Sequence, residues 1–173
     1  MNQVDLSQIL FNILPAAIVG AVAYYFFYTN SQNEEKRRKF LLIKENRKVS
    51  LPIRLQAYER MALFLERISP GKILFRVKPT SNDPEKYASL LIRTIVQEFD
   101  HNLAQQIYLT PDCWDYIKTA KNATIGLIRK ASQQEKVKDP DALRETILTS
   151  LIERSSPTDA ALAFIKKEVR NIV

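Results

Sequence analysis

Glycine, cysteine and histidine are all scarce in this chain of 173 residues. Its 3 glycines stand alone at Gly20, Gly71 and Gly126, so no glycine-rich loop can cradle a phosphate and no dinucleotide fingerprint can be written. The single cysteine, Cys113, permits no internal disulfide and no cysteine-rich zinc site. The single histidine, His101, permits no His-pair metal motif. No cofactor and no metal is therefore expected. Neither an internal repeat nor a low-complexity linker is visible. These shortages exclude whole classes of function without naming a reaction.

What is present begins with a run from Leu6 to Tyr28 that holds no charged residue. Ser7, Gln8 and Asn12 interrupt it near its start; beyond Ile13 only Pro15 and Gly20 break an apolar and aromatic text. As a helix these positions span roughly 35 Å, against about 30 Å for a hydrocarbon core. The mean hydropathy of the whole chain, −0.22, looks soluble only because the rest dilutes the run. A cleaved signal peptide would carry a basic leader and a small-residue cleavage site, whereas no base precedes this run and it ends in Tyr24-Tyr25-Phe26-Phe27-Tyr28. A buried core helix is rarely apolar all round for so long. The run thus predicts a retained transmembrane anchor, with its tyrosines at the membrane–water boundary. Ala16, Ala17, Gly20 and Ala21 place small residues at i and i+4, which suits helix pairing and a homo-oligomer; the plain alternative is that small residues are common in such helices.

Charge sets the orientation. The total is +7, but residues 36–78 hold 13 Lys or Arg against 3 acids, a net of +10, while residues 79–173 hold 13 of each sign. Lys36, Arg37, Arg38 and Lys39 follow the anchor closely, whereas Asp5 precedes it with no base. Basic flanks stay in the cytoplasm, so the amino terminus is expected outside and the body inside. A lone thiol agrees with a reducing compartment. The same bases can be drawn to anionic headgroups of the lipid bilayer.

The body reads as helical. Asp83-Pro84, Thr110-Pro111, Asp139-Pro140 and Ser156-Pro157 each set a capping residue before a proline, the strongest signature of a helix start. Leu51-Pro52, with Ser50 ahead, is a looser version. Starts are expected near 52, 84, 111, 140 and 157. Apolar residues then recur at helical spacing: Leu55, Tyr58, Ala62, Leu65 and Ile68; Tyr87, Leu91, Ile95 and Phe99; Trp114, Ile117, Ala120 and Thr124; Leu143, Ile147 and Leu151; Ala161, Ile165 and Val169. Between anchor and body, Glu34 with Arg38 and Glu35 with Lys39 make favourable i,i+4 pairs on a charged helix. Gly71 to Val77, bracketed by prolines, reads instead as an extended segment, with Ile107-Tyr108-Leu109 as a partner for a short β-ribbon.

Chemistry is thin. Glu98-Phe99-Asp100-His101-Asn102-Leu103-Ala104-Gln105-Gln106 turns a hydrophobic helix polar. One reading makes His101 a proton-transfer group oriented by Glu98 or Asp100, with Asn102 or Gln105 holding a substrate. The other makes the stretch a polar helix end that caps local backbone. Without a second histidine or a nucleophile elbow, the second is preferred, and Glu98, His101, Asn102 and Gln105 are retained as a candidate interaction patch. Cys113 stands in a helix's first turn, where the dipole can lower a thiol's pKa, yet no histidine lies near it in sequence, and a packed thiol is the simpler reading. The basic zone 36–78 is a footprint that nucleic acid could use, but its place beside the anchor explains it by topology.

Two blocks carry a resemblance: Leu51-Pro52-Ile53-Arg54-Leu55-Gln56-Ala57-Tyr58-Glu59-Arg60, and Glu98-Phe99-Asp100-His101-Asn102-Leu103-Ala104-Gln105-Gln106-Ile107-Tyr108. Together with the anchor they resemble an uncharacterised family of small single-pass membrane proteins of Bacteroidota. The resemblance implies a bacterial inner-membrane setting and carries over no catalytic residue.

The expectation is an all-α protein: a transmembrane anchor over 1–29, a charged juxtamembrane helix over 30–50 and a cytoplasmic helical bundle over 51–173, with one short β-ribbon as its sole exception. Its task reads as that of a scaffold or adaptor for protein partners, held at a fixed distance from the bilayer, rather than an enzyme. The alternatives are a membrane-tethered enzyme using His101 and a membrane-tethered nucleic-acid binder using 36–78.

Overall fold

The structure, a computed structural model, describes residues 6–153 and 155–172, with side chains at 14, 15, 17–30, 34–45, 48–152 and 155–172. The chain is all-α: α1 (Leu6–Ile68), α2 (Pro70–Arg76), α3 (Pro84–His101), a 3-10 helix (Leu103–Tyr108), α4 (Pro111–Ser132), α5 (Pro140–Glu153) and α6 (Asp159–Ile172). No strand occurs among the described residues. Between residues 49 and 50 the chain divides into two compact units.

The first unit is helical from Leu6 onward. Its described apolar side chains, Leu14, Ile18, Val19, Val22 and Tyr24 to Tyr28, are all exposed, and Phe27 reaches 77%. Successive residues step about 100° round a helix, so these side chains face every direction. Tyr24 and Tyr28 stack with ring centroids 6.3 Å apart. Among the described residues no helix is long and apolar enough to cross a membrane. The opening of the expected 1–29 anchor, residues 1–13, and Ala16 of the small-residue stripe lie outside the described side chains. Farther along, the Arg38 Nη2 lies 3.7 Å from Glu34 Oε2; of the two ion pairs expected here, Glu35–Lys39 is not formed.

The second unit is a helical bundle. Its first helix shows no start at Pro52, because α1 runs straight through that residue. An interior proline forfeits one backbone bond, but Leu51 in front of it offers no capping oxygen with which to begin afresh. The buried row beyond is Ala57, Tyr58, Met61, Phe64, Leu65 and Ile68, at steps of three and four.

The expected extended segment and ribbon at 71–77 are replaced by a helix, α2. Ser69 precedes Pro70 at the first helical position, the same start signature as elsewhere. Pro70, Ile73 and Leu74 are buried while Phe75 is 78% exposed. That is a spacing of three and four; alternation would have set Ile73 and Phe75 on one face and Leu74 on the other. Ile107 and Tyr108, the proposed ribbon partners, close the 3-10 helix.

The starts at 84, 111 and 140 are where the caps put them. Asp83 Oδ1 accepts from the backbone nitrogens of Glu85 and Lys86 at 2.9 and 3.3 Å. Thr110 Oγ1 accepts from that of Cys113 at 3.2 Å, and Asp139 Oδ1 from that of Ala142 at 2.8 Å. Near the expected 157 the chain makes a tight turn, the Asp159 nitrogen donating to the Ser156 carbonyl at 3.0 Å, and the helix proper runs from Asp159. The Asp159 carboxylate accepts from the Ser156 nitrogen at 3.1 Å, the capping-box contact expected of a cap at Ser156.

α4 lies at the centre of the bundle, packed against α3, α5 and α6. An aromatic chain crosses it: Phe64 meets Phe99 at 5.7 Å between centroids, and Phe99 stacks on Trp114 at 5.2 Å. Lys121 Nζ caps this chain, 4.1 Å from the Phe99 centroid. Among the described residues no buried side-chain nitrogen or oxygen lacks a hydrogen-bond partner.

The helical register of α2 predicts opposite outcomes at adjacent positions. Leu74→Lys buries a charge in the core and should cost more than about 3 kcal/mol. Phe75→Lys should change stability by no more than about 1 kcal/mol. Urea denaturation of the two variants checks this, and a reversed order would restore the extended reading.

Candidate functional site

Four residues of the 98–106 stretch were candidates, and the end of α3 parts them. Glu98 is drawn away from His101 into a double ion pair. Arg67 on α1 approaches it through Nη2 at 2.6 Å and Nε at 3.1 Å, and Arg76 on α2 through Nη1 at 2.9 Å. The Arg67 hydrogen bond, joined by Arg76 and opposed in part by burial, holds the Glu98 carboxyl below its ordinary value. Glu98 raises the Arg67 pKa in return. The carboxylate therefore ties α1, α2 and α3 together.

Asn102 ends α3. Its Nδ2 donates to the Glu98 carbonyl at 2.8 Å, and its backbone nitrogen donates to the Phe99 carbonyl at 2.9 Å. Glu98 and Asn102 do meet as their i,i+4 spacing suggests, through side chain and backbone. Gln105 donates its backbone nitrogen to the Asn102 carbonyl at 3.0 Å within the 3-10 helix. His101 is exposed, and among the described residues no hydrogen bond or ion pair joins it to Glu98 or Asp100. Also among those residues, no group of His, Cys, Asp and Glu is assembled to hold a metal ion.

A second, denser constellation was not foreseen. Glu168 on α6 lies between α1 and the start of α4. Tyr58 donates its hydroxyl to Glu168 Oε2 at 2.7 Å. The Thr110 hydroxyl lies 2.7 Å from Oε1 and 2.8 Å from Oε2, donating to the carboxylate while its oxygen caps α4. Cys113, fully buried at the start of α4, stands close enough to Glu168 to feel its charge. Burial, then Glu168, pushes the Tyr58 phenol up to about 12, against a smaller opposing effect of Arg54. Burial, again ahead of Glu168, pushes the Cys113 thiol up to about 12. The dipole of α4 is outweighed by desolvation, so Cys113 is a fully buried thiol held in its protonated form. This arrangement can hold protons in place and fix helices. A signal for it does exist in the sequence: Ala161 and Ile165 define the buried row of α6, and Glu168 sets a carboxylate on that row one step farther.

Beside this network a cleft of about 300 Å³ opens between Ser50, Ile53 and Arg54 of α1 and Ile107 to Leu109. Arg54 Nε donates across it to the Tyr108 carbonyl at 3.4 Å. A larger groove of about 400 Å³ runs along α4 past Gly126, Lys130 and Ser150. His101 lines neither. On the first unit, Lys36, Arg37, Arg38 and Lys39 are all exposed on α1.

A family model described as a family of unknown function, DUF7935, matches residues 4–172, and the chain belongs to that family. No curated protein and no solved structure matches it.

Two outcomes follow from the Glu168 network. Glu168→Ala strands the Tyr58 and Thr110 donors and should cost about 2–4 kcal/mol, whereas Tyr58→Phe, which removes one donor, should cost about 0.5–1.5 kcal/mol; urea midpoints give both. Tyr58 and Cys113 are acids held above their ordinary values of 10.0 and 9.0, so the folded state favours their neutral forms. Their contribution is complete below about pH 9 and is lost as pH rises towards about 12. Alkaline titration of stability should show this decline, flattened in the Tyr58→Phe, Cys113→Ala double variant.

Proposed function

We propose that this member of the DUF7935 family is a single-pass protein of a bacterial inner membrane, amino terminus outside, whose helical body acts in the cytoplasm as a scaffold or adaptor for other proteins. The observation that carries the anchor is the exposure of apolar side chains on every side of the first unit, from Leu14 and Ile18 to Phe27 and Tyr28. A surface that is apolar all round suits hydrocarbon and is poorly served by water. Residues 6–13, which extend the run to spanning length, enter this reading from the sequence alone. Thr29, where the run turns polar, donates its hydroxyl to the carbonyls of Tyr25 and Phe26 at 2.8 and 3.1 Å, as a group near lipid needs to.

Lys36, Arg37, Arg38 and Lys39 support the orientation, and the two sequence blocks support the setting in Bacteroidota. The adaptor role is supported by large apolar side chains left on the body's surface, Ile152 at 86% exposure and Ile107 at 71%. Small residues at Ala17, Gly20 and Ala21, all exposed, would allow two anchors to pair.

The test uses the full chain in bacterial cells. It should stay with the membrane through alkaline carbonate washing. A membrane-impermeant maleimide should label an Asn2→Cys variant in intact cells and a Ser155→Cys variant only after permeabilisation, with buried Cys113 silent in both. Release by carbonate would end the anchor reading, and reversed labelling would end the orientation. For the adaptor, a defined set of crosslinked proteins should disappear in Ile107→Glu or Ile152→Glu; recovery of the chain alone would end that reading.

A further inference from the structure

Beyond the anchor, α1 carries a second apolar feature. Phe40, Leu41, Leu42 and Ile43 follow one another, and all four are exposed, by 50 to 66%. Four successive helical residues occupy all sides of one turn. A packed helix or a flat protein face covers one side only, whereas a fluid medium can wrap the whole turn. Lys36, Arg37, Arg38 and Lys39 precede the turn, and Lys44 and Lys48 follow it; all are exposed. Across 34–49 the sequence holds seven bases and three acids. Among the described residues of that stretch, the loose Glu34–Arg38 contact is the one ion pair, which leaves Lys36, Arg37, Lys39, Lys44 and Lys48 available to an anionic surface.

We propose that residues 36–49 form a second, peripheral contact with an anionic lipid leaflet, the turn 40–43 sinking to headgroup depth while the flanking bases meet lipid phosphates. The proposal rests on the anchor reading, which brings this segment to the membrane. Tyr28 and Phe40 are separated by about 18 Å of straight helix, so docking needs a bend between them. Thr29, Asn30, Ser31 and Asn33 are weak helix formers. The Thr29 hydroxyl already bonds back to Tyr25 and Phe26, a contact that bends helices. The bend is therefore placed at Thr29–Asn30, and acidic headgroups supply the attraction that drives it.

The experiment reconstitutes the full chain in vesicles of phosphatidylcholine alone or with phosphatidylglycerol. Nitroxide labels are placed through Phe40→Cys or Val22→Cys, while Cys113, buried and protonated, takes none. The label at 22 should be lipid-embedded in both vesicles. The label at 40 should be open to a polar relaxation agent in phosphatidylcholine and shielded from it with phosphatidylglycerol. Replacing Lys36 or Lys39 by Gln should lower the docked-to-undocked ratio about fivefold per base. If 22 is embedded but 40 stays open in both vesicles, the peripheral contact is wrong and the anchor stands. If 22 is open, both readings fall. If 40 is shielded in both vesicles with spin–spin broadening, the cover is a second copy of the chain, and the lipid proposal is overturned.

Discussion

A carboxylate set in the apolar row of a helix has to be supplied with donors, and much of the second unit is arranged around that requirement. Glu168 receives the hydroxyls of Tyr58 and Thr110 at 2.7 to 2.8 Å. Burying it without them would cost several kcal/mol. Apolar contacts such as those of Ala161 and Ile165 are non-directional, and a helix held by them alone could slide with modest loss. Hydrogen bonds from two other helices to the two oxygens of one carboxylate allow no such slip. The network thus fixes the register of α6 against α1 and α4, on which the surrounding packing depends. Beside it, burial keeps the proton on the Cys113 thiol.

Glu98 joins helices by different physics. Its partners are charged and its side chain is 19% exposed, so solvent and salt weaken the arrangement. Because its pKa is lowered, the contribution is present above the ordinary carboxyl value and fades as pH falls through the folded one. Both carboxylates are half-buried; one is served by neutral hydroxyls, the other by arginines. Both join helices from distant parts of the chain.

The helices were legible wherever a capping side chain stood directly before proline, as at Asp83, Thr110 and Asp139, since cap and ring specify a start locally. Pro52 lacked that cap and marks no start. Pro70 had Ser69 before it and was passed over in favour of the β-branched and aromatic residues that follow. The buried rows of α3 and α4 could be read from spacing alone, because tertiary packing obeys the same period. The apolar run at 6–28 was equally plain as text, but among the described residues no helix is long and apolar enough to cross a membrane. At the end of α3 the spacing shows the polar residues but not the partners of Glu98, because no local pattern announces Arg67 and Arg76, 31 and 22 residues away. Glu168 was missed for the same reason: an acid beside Lys166 and Lys167 looks like a solvated face until the row it interrupts is traced.

The separation between Tyr58 and Glu168, 110 residues, sets an order of events during synthesis. Ribosomes add about 5–20 residues per second, so Tyr58 is made on the order of ten seconds before its acceptor exists. In that interval α3, α4 and α5 can form and meet one another, since their neighbours in space are near in sequence. The Tyr58 and Thr110 hydroxyls meanwhile stay with water. Closing the carboxylate network therefore waits for α6 to be made, and until then the apolar surface that Ala161 and Ile165 cover is open, the kind of surface that chaperones bind.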